Sequence, residues 1–246
     1  MLHKLSDILV VIKVFNKIKQ ELQSLADSKQ AEILQRFFKT GKGEYGEGDI
    51  FLGIKVPVQR KVVKKYLELS ISDTIKLLQS KIHEHRLTAI FILISKFENK
   101  KATEEEKKEI FNLYLENTKY INNWDLIDLS APKIVGSYLL DKDRSILYQL
   151  ANSKDLWEKR ISVLATFMFI RNNDFKDALK ISEILLDDKH DLIHKSVGWM
   201  LREIGKRNQS VEEKFLEKYH KTMPRTMLRY SIEKFSEEKR KYYLKK

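Results

Sequence analysis

The sequence predicts an all-α fold of short helices stacked in series, and three observations carry that expectation. Apolar residues recur at helical spacing almost throughout the 246 residues, as at Ile75, Leu78 and Ile82 or at Leu164, Phe167 and Met168, without a convincing alternating strand run. Turn-formers are scarce, with 8 Gly and 3 Pro, too few for the sharp turns of a many-stranded sheet. Brief polar breaks at Glu98–Lys101, Asn172–Asp174 and Asp187–Lys189 separate the periodic segments.

Taken in order, the N-terminal MLHKLSDILVVIKVFNKIKQEL reads as a helix. Asp7 and Lys13 interrupt its apolar run and no small-residue cleavage site follows, so a signal peptide is not expected. No other stretch is apolar for long enough to span a membrane. The segment AEILQRFFKT is helical in pattern and leads into the Gly-rich stretch Lys39–Gly53, KTGKGEYGEGDIFLG. Gly41, Gly43 and Gly46 match the dinucleotide-binding fingerprint by letter. A helix rather than a strand leads in, and Glu44, Glu47 and Asp49 would repel a pyrophosphate, so the stretch is expected to be a connector. It ends at a helix starting near Pro57, whose fixed φ suits a first helical turn.

Five later segments resemble one another: HRLTAIFIL from His85, IDLSAPKIV from Ile127, KRISVLATF from Lys159, HKSVGWMLR from His194 and PRTMLRYSI from Pro224. Each places a charged residue second, giving a row of Arg86, Asp128, Arg160, Lys195 and Arg225 at irregular spacings of roughly 30–40 residues. That irregular period suits HEAT-like helix pairs in a curved α-solenoid, expected to form a single domain over residues 1–246 with residues 1–35 as an N-terminal helical cap and 36–246 as its core. Equivalent positions of a solenoid project from one face, usually the concave face that binds partners.

Four members of the row are basic, and the chain carries a formal net charge of +12. A field of that sign attracts polyanions, nucleic acid first and an anionic membrane surface second. The chain has no Cys, which excludes disulfides and thiolate metal sites. Asp128 stands alone as a carboxylate in a row that would otherwise track phosphates, so it calls for a catalytic role or for an ion pair with Arg160 or Lys195. Trp124 is four residues before Asp128 and Trp199 four after Lys195, so each shares a helical face with its charged neighbour. Aromatic faces beside charges suit sugars and bases, whereas Trp157 reads as a packing residue. His190 and His194 stand at i, i+4 and His83 and His85 at i, i+2, but neither pair has the third ligand or the general base of a metal enzyme, so no metal is expected. Basic clusters at Lys61–Lys65, Arg202–Arg207 and Lys239–Lys246 are solvated faces or DNA contacts.

The segments GEYGEGDIFLGIKVP, NNWDLIDLSAP, LWEKRISVLATFMFIR, DLIHKSVGWMLREIGKR and MPRTMLRYSIEKF, in that order, resemble the DNA alkylation repair family of AlkD-like HEAT-repeat glycosylases from about Arg36 onward. The resemblance implies a monofunctional enzyme that excises cationic alkylpurines such as 3-methyladenine and 7-methylguanine from duplex DNA, without metal or cofactor. It places the family's catalytic aspartate on Asp128, its sugar-facing tryptophans on Trp124 and Trp199 and its site arginine on Arg160. Arg86, Lys195, Arg202, Arg225 and Arg229 are then expected to contact DNA. Some members carry two aromatics where this chain has Asp191 and Leu192. The chain is expected to act as a monomer in the bacterial cytoplasm at the nucleoid. The alternative is a non-catalytic protein that binds damaged or branched DNA by shape.

Overall fold

A computed structural model describes residues 14–245. Most of the expected N-terminal helix, and the first part of the 1–35 cap, lie outside the described residues. Residues 14–24 are helical and form α1. Among the described residues the fold is all-α, and the only strand-like pairing is an isolated parallel bridge between Ile50 and Ile82. No helix is long and apolar enough to cross a membrane among them. The chain divides into two compact units, Met1–Leu126 and Ile127–Lys246.

In the first unit α1 is followed by α2 (Ser28–Phe37), capped at its start by Asp27, which accepts from Gln30 N at 3.1 Å. The Gly-rich connector is irregular, as expected, and leads into α3 (Val56–Lys65) with Pro57 in the first turn. Gly53 sits at φ +86°, with Asp27 O only 2.1 Å from where a Cβ would lie, so a side chain is excluded there on both counts. Helices α4 (Ile71–Leu78), α5 (His83–Phe97) and α6 (Glu104–Glu116) complete the unit. A full capping box starts α6: Thr103 accepts from Glu106 N, and Glu106 accepts from Thr103 N. Ile82 does not continue α4 as its spacing suggested. It precedes α5 and pairs with Ile50, because the chain turns at Gln79–Lys81.

Helix α5 is the centre of this unit: 13 of its 15 residues are buried, and it packs on α3, α4 and α6. Its apolar part, including Ile90, Ile92 and Leu93, is closed to solvent on every face, as a central helix must be. Its first turn buries four polar residues, His83, Glu84, His85 and Arg86. Glu84 accepts from the backbone N–H groups of Leu52, Gly53 and Ile54 at 2.8, 2.8 and 3.2 Å, so a helix start clamps the end of the connector.

Helix α7 (Trp124–Ser130) contains the junction between the units and runs on into a π-helical turn, Pro132–Gly136. In the second unit follow α8 (Ser145–Ala151), α9 (Leu156–Ala165), α10 (Phe167–Arg171), α11 (Lys176–Ile184), α12 (Asp191–Arg207), α13 (Gln209–Tyr219), α14 (Arg225–Ser231) and α15 (Glu237–Leu244). The periodicity through Leu164, Phe167 and Met168 spans two helices, because the chain breaks at Thr166, whose hydroxyl donates to Val163 O at 2.6 Å. Helix α12 is the hub, in contact with α9, α10, α11, α13 and α14. Gly198 allows its closest approach: a Cβ there would lie 2.4 Å from Met227 O and 2.6 Å from Tyr230 Cβ of α14.

Candidate nucleic-acid site

All five similar segments lie on helices: α5, α7 with its π turn, α9, α12 and α14. Their second positions do not share one fate. Arg86 was expected to face DNA, but it is only 3 % exposed and packed inside the first unit. Its guanidinium donates to Asp49 at 2.5 Å and to the carbonyls of Ser80 and Lys81 at 3.3 Å, so it offers no charge to solvent. The reason is tertiary: the connector carries Asp49 across the start of α5, and a buried carboxylate requires a cation.

Around Trp124 the first unit builds a layered aromatic seat. The indole stacks on Phe38 with centroids 5.2 Å apart and meets Phe37 edge-on at 5.9 Å. Phe38 stacks in turn on Phe51, and Phe51 on His83. The Trp124 Nε1–H donates to the Tyr45 hydroxyl at 3.2 Å, and its backbone N–H to Asn123 Oδ1 at 2.8 Å. His83 lies between two carboxylates, with Nδ1 3.1 Å from Asp49 and Nε2 2.9 Å from Asp125. Burial pulls His83 toward the neutral form, but Asp125 and Asp49 outweigh it and push the pKa up to about 9. Sequence reasoning met Asp49 only as a repellent charge and His83 only as half of an HxH pair, did not name Asp125, and joined none of the three. Nothing local signals them, since 34 residues separate Asp49 from His83 and 42 separate His83 from Asp125. His85 goes the opposite way: burial, then Lys19 and Arg86, push it down to about 4, and its Nδ1 bonds the Ser80 hydroxyl.

In the second unit Arg160 grips Asp128 with two parallel bonds, Nε to Oδ1 at 2.9 Å and Nη2 to Oδ2 at 2.8 Å. Its remaining arm donates to Leu192 O at 2.6 Å. Arg160 is 4 % exposed, while Asp128 is half-buried and reaches solvent. One buried guanidinium thus joins α7, α9 and the first turn of α12, in the fork geometry that carboxylates accept best. Three of its five N–H groups thus face protein oxygens, and the ion pair with Asp128 that the aligned segments offered is formed.

Trp199 is half-buried on α12, with Nε1 donating to Glu203 at 3.0 Å and its ring near Phe167 at 6.3 Å. Lys195, one turn earlier, pairs with Asp191 at 2.6 Å. Arg202 pairs with Glu233. Arg225 and Arg229 are exposed on α14, and Arg225 also donates to Leu244 O at 2.9 Å. Trp157 is buried, in keeping with a packing role. His194 donates to Asp188 O at 2.6 Å, and His190 caps α12 by accepting from Leu192 N at 3.1 Å, so both imidazoles serve the start of one helix.

Comparison with known proteins agrees with this architecture. A search of curated proteins gives no match. A solved structure described as a "predicted DNA alkylation repair enzyme" from Enterococcus faecalis superposes with a TM-score of 0.67 at 16% identity, over 86% of this chain and 97% of that one, a likeness of fold. The family model described as DNA alkylation repair enzyme matches residues 18–235. With that match over most of its length, the chain belongs to the DNA alkylation repair enzyme family.

Proposed function

We propose that this protein is a DNA glycosylase that removes cationic alkylated purines, 3-methyladenine and 7-methylguanine, from duplex DNA by hydrolysing the N-glycosidic bond. The observation that carries the proposal is the fixed carboxylate of Asp128, forked by Arg160 and still open to solvent. Alkylation leaves the base cationic and ready to depart. As the C1′–N bond breaks, its electron pair neutralises the base and positive charge develops on the deoxyribose. A preorganised carboxylate stabilises that charge and orients the water that attacks C1′. The Arg160 fork fixes the direction of its two oxygens. Trp124 in the first unit and Trp199 in the second are proposed to give aromatic faces to the cationic sugar. The resemblance of NNWDLID and HKSVGWMLR to the family's motifs joins them to Asp128. Neither a metal nor a cofactor enters the proposed chemistry.

The test is release of free 3-methyladenine and 7-methylguanine from methylated duplex DNA by the wild type and by Asp128→Asn, without added metal. The proposal expects release by the wild type and a loss of at least about a hundredfold in the variant, with DNA affinity kept. Equal release by both proteins would end the assignment of Asp128. The same fork supports a second reading, since an aspartate held on both oxygens is also what a purely structural ion pair looks like. Under it the protein binds damaged or branched DNA by shape, and neither protein releases a base.

A further inference from the structure

We propose that His83, bridging Asp49 and Asp125 as an imidazolium, is a positioning residue that holds Trp124 in the orientation used for base excision. The inference rests on the glycosylase reading above and adds a role for a buried cluster that the reaction itself does not touch. All of its members lie in the first unit.

The geometry fixes the charge state. Each ring nitrogen of His83 faces a carboxylate oxygen, at 3.1 and 2.9 Å. Carboxylates only accept, so both nitrogens donate, and only the imidazolium carries two N–H groups. The charged groups facing it are Asp49 from the connector, Asp125 from α7 and Arg86 from its own helix. The rings of Phe38 and Phe51 face it as well.

From His83 three routes lead to Trp124. Asp125 is its neighbour in the first turn of α7, so anchoring Asp125 anchors the start of that helix. The Asp49 oxygen that meets His83 Nδ1 also accepts from Asn123 Nδ2 at 3.5 Å, and Asn123 Oδ1 holds the Trp124 N–H. The third route is the stack His83, Phe51, Phe38, Trp124, with successive centroids 4.4, 5.1 and 5.2 Å apart. A ring caught by one hydrogen bond can pivot. One fixed through its backbone, its face and its helix start cannot, and reaction rates are sensitive to small misplacements. Loss of the His83 proton removes the donor to one carboxylate and leaves half-buried Asp125 and the Arg86-paired Asp49 facing a neutral ring, which slackens the hold on Trp124.

The experiment reads Trp124 directly, without DNA. Fluorescence of the Trp157→Phe, Trp199→Phe protein is titrated with pH, and the emission should change with a midpoint near 9. In a His83→Gln background the midpoint that belongs to His83 should vanish, leaving the ionisation of Glu212 and of tyrosines at about 10 and above, whereas Glu212→Gln should leave the midpoint in place. Asp125→Asn, which removes one of the two anions, should lower the midpoint. With all tryptophans restored, His83→Gln at neutral pH should slow single-turnover excision about tenfold while leaving the DNA Kd unchanged. Emission that is flat near 9, a midpoint indifferent to His83→Gln and to Asp125→Asn, or an unchanged excision rate overturns the proposal. If the wild type releases no base at all, the glycosylase reading fails by itself, and the DNA-free titration still decides whether His83 positions Trp124. If His83→Gln does not fold, the Asp125→Asn shift decides.

Discussion

Arg160 is the one of the two cations offered to Asp128 that the fold pairs with it. Its three bonds to Asp128 and Leu192 tie three helices together, so Arg160→Ala should lower stability by roughly 3–5 kcal/mol, toward the low end because Asp128 keeps some solvent. Urea unfolding measures this, and a stability matching the wild type would show the fork to be incidental. Glu212 makes the opposite case. It is 1 % exposed and its Oε1 has no hydrogen-bond partner. Burial, then Glu213, pushes its pKa up to about 9 from 4.5. Below pH 4.5 the folded and unfolded chains both hold the proton, and the group is neutral to stability. Above that, the unfolded chain gives the proton up and the folded one keeps it, so the fold loses stability progressively until about pH 9. Glu212→Gln should therefore unfold like the wild type near pH 4 and be more stable by about 1–3 kcal/mol at pH 8. Thermal melts at the two pH values decide it, and a gain of equal size at both would contradict the assignment.

At the scale of elements, the second unit depends on how closely α12 approaches α14. Gly198 sits at that crossing, and the atoms a methyl group would strike are the Met227 carbonyl oxygen and the Tyr230 Cβ, close to or part of the backbone and not free to swing aside. Gly198→Ala should cost about 1–3 kcal/mol by forcing the helices apart. Because Trp199 follows directly, the same change should blue- or red-shift its fluorescence. A folded variant of wild-type stability and spectrum would show that the crossing is loose. The π turn Pro132–Gly136 is a second such contact, since a Cβ on Gly136 would lie 2.3 Å from Ala165 O. This π turn follows on the helix bearing Trp124 and Asp128.

For the whole molecule the net charge of +12 governs encounter with DNA. Affinity should fall steeply and linearly on a log–log plot against salt. Arg229 is exposed on α14, so Arg229→Ala should reduce the magnitude of that slope by about 1. Arg86 is buried on Asp49, so neutralising it should change stability and leave the slope alone. Fluorescence-anisotropy titrations across salt concentrations separate the two. A slope that responds to Arg86 and not to Arg229 would invert this view of the surface.

The sequence by itself determined the helical class, the polar breaks, the connector between α2 and α3 and the family, because periodicity, turn chemistry and ordered motifs are local properties of a chain. It also set Asp128 and Arg160 apart by their place in the charged row, and Trp124 and Trp199 by their helical spacing from that row. Only the tertiary structure decided what each charge faces. It buried Arg86 against Asp49, locked Arg160 onto Asp128 and set His83 between Asp49 and Asp125. Those pairings join residues more than 30 positions apart, and the energy that selects them is the cost of taking a charge out of water without a counter-charge. That cost arises only once the helices have packed, so the aligned segments could offer Arg160 or Lys195 to Asp128 without choosing between them, and nothing local joined Asp49, Arg86, His83 and Asp125.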